Sequence, residues 1–348
     1  MGRRRQAVTI RHVASEAGVS LQTVSRVINN ESNVRPEMRA RVQGAIDKLG
    51  YVPSIAAQRM SGSRSYLILA LNDRDRTIAD WRARQGADWI DQMLLGGMLT
   101  CAEHGYRMIF ELVDTHSDHV ERELAGIVAA LQPDGVVLTP PHSDNAQIVA
   151  FLAGKHIPFA RIGSLGEGGG IALTMDDEAA AGMATRYLAD LGHRRIALIG
   201  GNREYHVSDW RIDGWRSAMA EAGLPTDGLL AEGDFSYASG EAAAQALLGR
   251  AERPTAIIAS NDQMALATLE TARAMGIAIP ADLSLISFDN TPIVRFSQPA
   301  LTAVDQPIAA TVARAVERLI AAGNGEDEGG HEVIPATLVP RDSVAPPR

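Results

Sequence analysis

Residues 18–30, GVSLQTVSRVINN, predict a turn followed by a short helix near the start of the chain. Gly18 suits the turn, and Ser20 is a residue type that caps helix N-termini. The apolar side chains that follow have the spacing of one buried helical face: Val24, Val27 and Ile28. The opposite face carries Leu21, Gln22, Ser25 and Arg26. This face contacts either solvent or a partner that is polar and negatively charged.

Two further helices flank this segment and complete a small helical unit. Before it, Thr9 can cap a helix with the apolar positions Ile10, Val13, Ala14 and Ala17. After it, Pro36 suits the first turn of a third helix that ends at Gly50. Helix, glycine-containing turn and helix form the helix-turn-helix arrangement, whose second helix enters the major groove of DNA. Gln reads adenine, Arg binds guanine through two hydrogen bonds, and hydroxyl groups suit phosphates.

Charge is distributed unevenly along the chain. The protein has 348 residues and a formal net charge of −9, yet residues 1–64 hold 11 Lys and Arg against 4 Asp and Glu. The remaining residues carry 22 basic and 38 acidic side chains. Because neutralised phosphates supply much of the free energy of nucleic-acid binding, this asymmetry predicts that only the basic head meets a polyanion. An ordinary helical bundle without a nucleic-acid role is the alternative.

The composition limits the class of protein. With 46% hydrophobic residues, the chain can form the cores of two or three domains. It has no apolar run of about 18 residues and no secretory or myristoylation signal, so we expect a cytoplasmic protein without a membrane partner. A single cysteine, Cys101, allows no internal disulfide. His116 and His119 are interpreted as parts of a solvated loop rather than as metal ligands, and we expect no cofactor.

Short apolar strands alternate with amphipathic helices from Tyr66 onward. The candidate strands are YLILAL, RMIFEL, GVVLTP, PFARIG, IALIG, TAIIAS and LSLISF. Near-continuous apolar strands between helices predict parallel sheets that are covered on both faces. Two such runs predict two doubly wound halves, with a ligand at the carboxyl ends of the strands. The glycine-rich stretch at 166–170 is expected to join the halves. Residues 198–202, LIGGN, lack the spacing of a dinucleotide fingerprint, which disfavours a dehydrogenase.

The N-terminal segment resembles the DNA-binding headpiece of the LacI family. The resemblance rests on residues 9–53, TIRHVASEAGVSLQTVSRVINNESNVRPEMRARVQGAIDKLGYVP. It implies that Leu21, Gln22 and Arg26 read bases. It also implies contacts near the DNA backbone by Thr9, Ser20, Thr23, Ser25, Asn29 and Asn33, and adds Tyr51 to the DNA-binding set. Arg35 departs from the family, which usually has Ser or Thr capping the third helix at this position.

Residues 51–65, YVPSIAAQRMSGSRS, resemble the hinge of the same family. The resemblance implies DNA contacts by Ala57 and Met60, where Met60 takes the place of the leucine that the family inserts into the minor groove. Met is apolar and flexible, so it can act as a wedge that kinks DNA. An isolated helix of about ten residues is marginal in water, so we expect this hinge to be ordered only on DNA and beside a dimer partner. A plain linker is the alternative.

The body resembles the core shared by LacI regulators and periplasmic sugar receptors. The resemblance is carried by RPTAIIASNDQMALATLETARAMGIAIPADLSLISFDN and PALTAVDQP. The effector positions that it implies are Asp73, Arg161, Arg211, Phe235, Asn261, Asp289 and Gln306, with Arg161 chosen for its place at a strand end. Their chemistry suits a polyol, because charged and amide groups bind hydroxyls and an aromatic ring stacks on a sugar. Arg211 and Asp289 are expected to face each other across the effector and, without it, to be solvated or paired with each other.

Together these patterns predict an all-α helix-turn-helix headpiece (1–52), a hinge (53–65) and an α/β body (66–348). The body is predicted to have the periplasmic-binding-protein-like fold, with two doubly wound parallel-sheet subdomains at about 66–163 plus 306–326 and 164–305 plus 327–348. The segment that carries Trp81 and Trp89 is longer than usual in the family, and these side chains either form the pocket mouth or pack on it. The chain has no leucine heptad tail, which favours a homodimer.

The predicted function is that of a transcriptional repressor. It binds a pseudo-palindromic double-stranded operator and is released by a small-molecule effector, a sugar or sugar derivative. One alternative is a regulator that needs its ligand as co-repressor, as in purine-responsive relatives. Another is a small-molecule receptor without a DNA function, which the helix-turn-helix head argues against.

Overall fold

A computed structural model of the protein describes residues 8–28, 33–51, 64–84, 88–327 and 329–348. The chain divides into two compact units, residues 1–66 and 67–348. Three of the predicted DNA-binding residues, Asn29, Ala57 and Met60, lie outside the described residues. The hinge predictions therefore stay predictions.

The first unit contains three helices around a small apolar core. The helices are α1 (Ile10–Ala17), α2 (Leu21–Ile28) and α3 (Pro36–Leu49). Gly18 follows α1 with φ 62°, a left-handed conformation that glycine adopts without strain. Ser20 caps α2 as predicted, since its Oγ accepts the backbone N–H of Thr23 at 3.1 Å. The side chain of Arg35 makes no cap hydrogen bond at the start of α3, as expected of a residue without an acceptor.

The second unit is an α/β body with two six-stranded sheets. In chain order, the elements before the first passage between the sheets are β1 (Leu67–Asp73), α4 (Arg74–Ala83), α5 (Asp88–Glu103), β2 (Arg107–Val113), α6 (Val120–Leu131), β3 (Gly135–Leu138), a 3₁₀ turn (His142–Asp144), α7 (Ala146–Gly154), β4 (Phe159–Ile162) and β5 (Ile171–Thr174).

The elements that follow are α8 (Asp177–Asp190), β6 (Ile196–Ile199), α9 (His206–Glu221), β7 (Leu230–Ala231), α10 (Tyr237–Leu248), β8 (Ala256–Ala259), α11 (Asp262–Ala274), β9 (Ser284–Asp289), a 3₁₀ turn (Pro292–Arg295) and β10 (Thr302–Asp305). The last elements are α12 (Ile308–Gly323), β11 (Gly330–Val333) and β12 (Thr337–Val339). All seven residues of β1 are buried, as a near-continuous apolar strand between helices predicts.

The strand pairing confirms two sheets that are parallel except for the antiparallel edge pair of β10 and β12, and it corrects the expected subdomain boundaries. The first sheet has the order β11-β5-β4-β3-β1-β2, and the second has β12-β10-β9-β8-β6-β7. Both β5 and β11 lie in the first sheet, where Gly330 of β11 pairs in parallel with Ile171 of β5. The boundary expected after residue 163, and the return expected at 327, are therefore wrong. The glycine-rich stretch at 166–170 connects β4 with β5 in one sheet, and the chain crosses to the other half after β5.

The described chain passes between the two halves three times: from β5 to α8, from β10 to α12, and from β11 to β12. Each half thus contains segments that are distant in sequence. Helices α8 and α9 pack closely in the second half. A Cβ atom built on Gly214 of α9 would lie only 2.0 Å from the carbonyl oxygen of Glu178 in α8. Within the described ranges, no helix is both long and apolar enough to cross a membrane.

Candidate functional site

The face of α2 that points away from the core carries the predicted base-reading residues. Val24 and Val27 of α2 are buried in the core of the first unit. Leu21 is 44% exposed, Gln22 is exposed, and Arg26 is partly exposed. The helix therefore presents an apolar group, an amide and a guanidinium on its accessible side. This combination can contact a thymine methyl group and the edges of adenine and guanine.

The predicted backbone-contacting residues cluster at helix N-termini. Thr9 precedes α1 and Ser20 precedes α2, and both are exposed. The Oγ of Ser20 lies 2.9 Å from the Oγ1 of Thr23. Such positions suit phosphates, because the first backbone N–H groups of a helix point outward. Asn33 is also exposed, and Ser25 is partly exposed, whereas Tyr51 is buried among the core residues of this unit.

A cavity of about 190 Å³ lies in the second unit, between the carboxyl ends of strands from both sheets. This is the place where doubly wound sheets bind ligands. Five of the predicted effector residues line it: Asp73, Arg211, Phe235, Asn261 and Asp289. The other two, Arg161 and Gln306, are buried and bond to protein groups instead.

Arg161 holds loops of the first half together. Its Nε donates to the carbonyl of Ser143 at 2.6 Å, its Nη1 to the carbonyl of Gly166 at 2.6 Å, and its Nη2 to Asp144 Oδ1 at 3.1 Å. The strand-end position was a correct prediction, but the guanidinium is committed to the loop between β4 and β5. The effector role expected for Arg161 therefore does not follow from the geometry, and we leave it out of the candidate site.

Arg211 is anchored by a carboxylate that the sequence reasoning missed. Its Nε donates to Asp177 Oδ1 at 2.9 Å, and its Nη2 donates to Gln306 Oε1 at 2.8 Å. Its Nη1 also donates to the carbonyl of Ser260. Arg211 is only 4% exposed, and its ion pair is with Asp177 rather than with Asp289. The expectation that Arg211 is solvated or paired with Asp289 is therefore wrong.

Gln306 completes this network. Its Nε2 donates to Asp177 Oδ1 at 2.9 Å, so one carboxylate oxygen accepts from both Gln306 and Arg211. The other oxygen, Oδ2, is buried without a hydrogen-bond partner among the described residues. Because Gln306 lies in the passage from β10 to α12, the network connects the cavity to a crossing between the halves.

Two neighbouring carboxyl groups, Asp262 and Asp289, lie at the second sheet's side of the cavity. Asp262 Oδ2 accepts the N–H and the hydroxyl of Thr291, each at 2.7 Å, and Oδ1 accepts the hydroxyl of Ser287. Burial and the neighbouring charge of Asp289 raise the pKa of Asp262. Burial likewise raises the pKa of Asp289, while Arg211 opposes this shift. Asp289 has φ 86°, so the backbone is strained where it presents this carboxyl group.

Aromatic rings form another wall of the cavity. Phe235 stacks on Tyr205 with 5.7 Å between ring centroids and 18° between planes. Asn261 fixes this loop, since its Nδ2 donates to the carbonyl of Phe235 at 2.8 Å while its Oδ1 caps α11. The two tryptophans of the long segment have different surroundings. Trp89 lines the cavity, whereas Trp81 packs on Phe110 with 6.3 Å between ring centroids.

Polar contacts link the two halves at the mouth of the cavity. Arg76 in α4 donates from Nη1 to the carbonyl of Asp234. His116 Nε2 lies 2.6 Å from Glu204 Oε1, and the hydrogen bond and charge of Glu204 raise the pKa of His116. The loop that carries His116 is exposed as expected, and this histidine forms a bridge between the halves. Across the described part of the chain, no group of three His, Cys, Asp or Glu side chains could hold a metal ion.

A helix-turn-helix head and a two-sheet body with a cavity between its halves define a ligand-responsive DNA-binding regulator. Residues 9–54 match the model of bacterial regulatory proteins, lacI family, and residues 185–344 match the periplasmic binding protein-like domain. The chain is 32% identical to catabolite control protein A of Priestia megaterium, over 86% of this chain and 88% of that protein. The protein belongs to the LacI family of bacterial regulatory proteins.

Solved structures agree with this membership. The chain is similar to the transcriptional regulator CelR in its complex with cellobiose, with a TM-score of 0.72 and 30% identity over 97% of this chain and 99% of that one. It is also similar to the lac repressor dimer bound to operator and the anti-inducer ONPF, with a TM-score of 0.79 and 25% identity over 98% of this chain and 100% of that one.

Proposed function

We propose that the protein is a homodimeric repressor that binds a pseudo-palindromic operator and leaves it when a sugar or sugar derivative occupies the cavity. The observation that carries this proposal is the cavity itself, because its lining residues come from both halves of the body. A ligand held by both halves binds the closed arrangement more tightly than the open one. It therefore shifts the population toward the closed arrangement, and linkage transmits this shift to the DNA affinity.

The operator part of the proposal is supported by the head. Its exposed recognition face carries Leu21, Gln22 and Arg26. Basic residues are concentrated in the first 64 positions, where 11 Lys and Arg stand against 4 Asp and Glu. The similarity to a lac repressor bound to operator supports the same partner. Two-fold symmetry in a dimer favours two half-sites of opposite orientation.

The homodimer part is supported by apolar side chains on the surface of the body. Leu95, Met98 and Leu99 lie one turn apart or closer on α5, and each is about half exposed. In the second half, Phe296 is 81% exposed, and Ile293 lies on the adjoining 3₁₀ turn. Contiguous exposed apolar side chains mark contact surfaces, and a two-fold axis covers the same patch on both copies. The similarity to a dimeric lac repressor is consistent with this arrangement.

The effector part is supported by the chemistry of the cavity. Carboxyl and amide groups can bond hydroxyls, and the stacked pair of Phe235 and Tyr205 offers an apolar face. CelR, which is similar over 97% of this chain, is described with cellobiose.

A mobility-shift titration tests the proposal. The full-length protein on its operator is titrated with a panel of neutral, aminated and phosphorylated sugars. At least one sugar is expected to weaken operator binding while raising the melting temperature of the free protein. Strengthened operator binding by the same sugar would show a co-repressed regulator instead. If every sugar fails in both measurements, the effector part of the proposal is wrong.

A further inference from the structure

The cavity contains more negative than positive charge. The acidic side chains among its lining residues are Asp73, Asp80, Asp88, Asp262 and Asp289; burial and the charge of Asp289 raise the pKa of Asp262 to about 8, so the other four supply the negative charge at neutral pH. The described lining residues include two cationic side chains, Arg76 and Arg211. Aromatic side chains and residues of both halves enclose the cavity. The charges of its lining residues therefore affect which ligands it can bind.

Both cationic side chains are already matched by protein carboxylates. Arg76 Nε lies 3.0 Å from Asp80 Oδ2, in the same helix. Arg211 Nη2 lies 2.8 Å from Asp177 Oδ1, behind the cavity wall. An anionic ligand would have to compete with Asp80 and Asp177 for these guanidinium groups. The pocket therefore disfavours phosphorylated and carboxylated sugars.

Four lining carboxyl groups have no ion-pair partner among the described residues, and two of these, Asp73 and Asp262, accept hydrogen bonds from threonine hydroxyls. The other two are Asp88 of the first half and Asp289 of the second half. Asp88 and Asp289 line the same cavity from opposite halves, and the negative charge of Asp88 contributes to the raised pKa of Asp289. Like charges in one partly buried site disfavour full ionisation of both. Either a proton or a cationic group of the ligand relieves this repulsion.

The aromatic lining favours the ligand cation. Trp89, Tyr205, Phe235 and Tyr237 all line the cavity, and Trp89 directly follows Asp88. Ring faces attract cations electrostatically, and this attraction adds to that of carboxylates when the cation is desolvated. The amide side chains of Asn72 and Gln263 also line the cavity, so its walls carry polar groups besides the carboxyl groups.

We infer that the effector is an aminated polyol, such as an amino sugar, whose ammonium group binds between Asp88 and Asp289 against the aromatic wall. This inference rests on the proposed function, since it concerns the same cavity. It specifies the charge of the effector, which is a cation and not a neutral or anionic sugar. The ammonium group also draws the halves together, because its two carboxylate partners come from different halves.

The test uses three matched series of hexoses: glucose, galactose and mannose, each as the neutral sugar, the 2-amino sugar and the 6-phosphate. Binding to the full-length protein is measured by calorimetry at neutral pH. At least one amino sugar is expected to bind about tenfold or more tightly than its neutral parent, with no measurable binding of its phosphate. Equal binding of parent and amine, binding of a phosphate, or no binding of any amine overturns the inference.

Two variants locate the amine. Asp88→Asn removes one carboxylate of the pair and is expected to abolish most of the advantage of the amine over its neutral parent. Asp75→Asn is the matched control, since Asp75 is exposed on α4 and does not line the cavity. Melting curves of the unliganded variants establish that both are folded. An unchanged preference for the amine in Asp88→Asn overturns the assignment of Asp88.

The outcomes separate this inference from the proposed function. If a neutral hexose binds as tightly as its amino sugar and causes the protein to leave the operator, the proposed function stands and the inference of an aminated effector is wrong. An amino sugar that binds without changing the operator affinity supports the amine and contradicts the induced repressor.

Discussion

Arg211 and Asp177 form a buried ion pair, with Nη2 of the arginine 2.8 Å from Oδ1 of the aspartate. The pair sets the direction of the arginine before any ligand arrives, since Asp177 is fully buried at the first turn of α8. Gln306 shares the same carboxylate oxygen. A ligand that contacts Arg211 therefore acts on a network that reaches the crossing between β10 and α12.

Replacing Asp177 should leave Arg211 as a buried charge without its carboxylate partner. We expect Asp177→Ala to lower the free energy of unfolding by about 3–5 kcal/mol, because breaking a buried pair leaves an uncompensated charge. Urea denaturation of the full-length protein measures this loss. Glu178→Ala is the matched control, since Glu178 is exposed on the same turn and should cost less than about 1 kcal/mol. Similar losses in both variants would show that the ion pair is not the cause.

Replacing Arg26 should affect base recognition. Because Arg26 lies on the accessible side of α2, we expect Arg26→Ala to cost about 1–3 kcal/mol on the operator and little on random DNA. Fluorescence anisotropy with both DNAs at one salt concentration measures the two affinities. An equal loss on both DNAs would instead assign Arg26 to a phosphate.

Closure of the body should depend on pH through His116. The carboxylate of Glu204 in the other half raises the pKa of His116, with smaller contributions from Asp73 and Asp114. The contribution of this bridge is fully present below the pKa of the open form and is lost as the pH rises through the higher pKa of the closed form. Energy transfer between labels on the two halves should therefore report less closure at the higher end of this range.

His116→Gln should remove most of this dependence. His119→Gln is the matched control, because His119 is exposed on the same loop. His206 lies 3.8 Å from Asp144 of the first half and remains in both variants, so a small residual dependence is expected. A full pH response in His116→Gln would mean that other groups control closure.

The contact between α8 and α9 requires glycine at position 214. A Cβ atom there would lie 2.0 Å from the carbonyl oxygen of Glu178, which is backbone and cannot turn away. We expect Gly214→Ala to destabilise the protein by about 1–3 kcal/mol, as overpacking does. Gly126→Ala is the matched control: Gly126 lies inside α6 with open space around it, so alanine should stabilise by about 0.5–1 kcal/mol. Thermal unfolding distinguishes the opposite signs.

Sequence reasoning predicted those features that depend on local patterns. The capping role of Ser20 and the turn at Gly18 follow from residue type, and the apolar strands follow from length and periodicity. The cavity position of Asp289 followed from the family resemblance. The role of Asp177 could not be predicted, because an acidic residue in the first turn of a helix is ordinarily a solvent-exposed one. Its burial depends on a helix and a crossing that are distant in sequence.

Arg161 was predicted to bind the effector but does not line the cavity. A strand-end position in a doubly wound sheet predicts proximity to a ligand, but it does not predict the direction of a long side chain. Three nearby acceptors in the loops of the first half decide that direction. The strand β5 (Ile171–Thr174) was not among the candidate strands, because the glycine-rich stretch before it was interpreted as the connection between the halves.

The three passages between the halves have a consequence for synthesis of the protein. Strands β11 and β12 come last in the described chain, and each is the edge strand of a different sheet. A nascent chain that ends before them leaves β5 and β10 with unpaired backbone edges, which are templates for aggregation. Neither half therefore has all of its strands until the segment 330–339 has been synthesised. Completion of both sheets depends on the last strands to emerge from the ribosome.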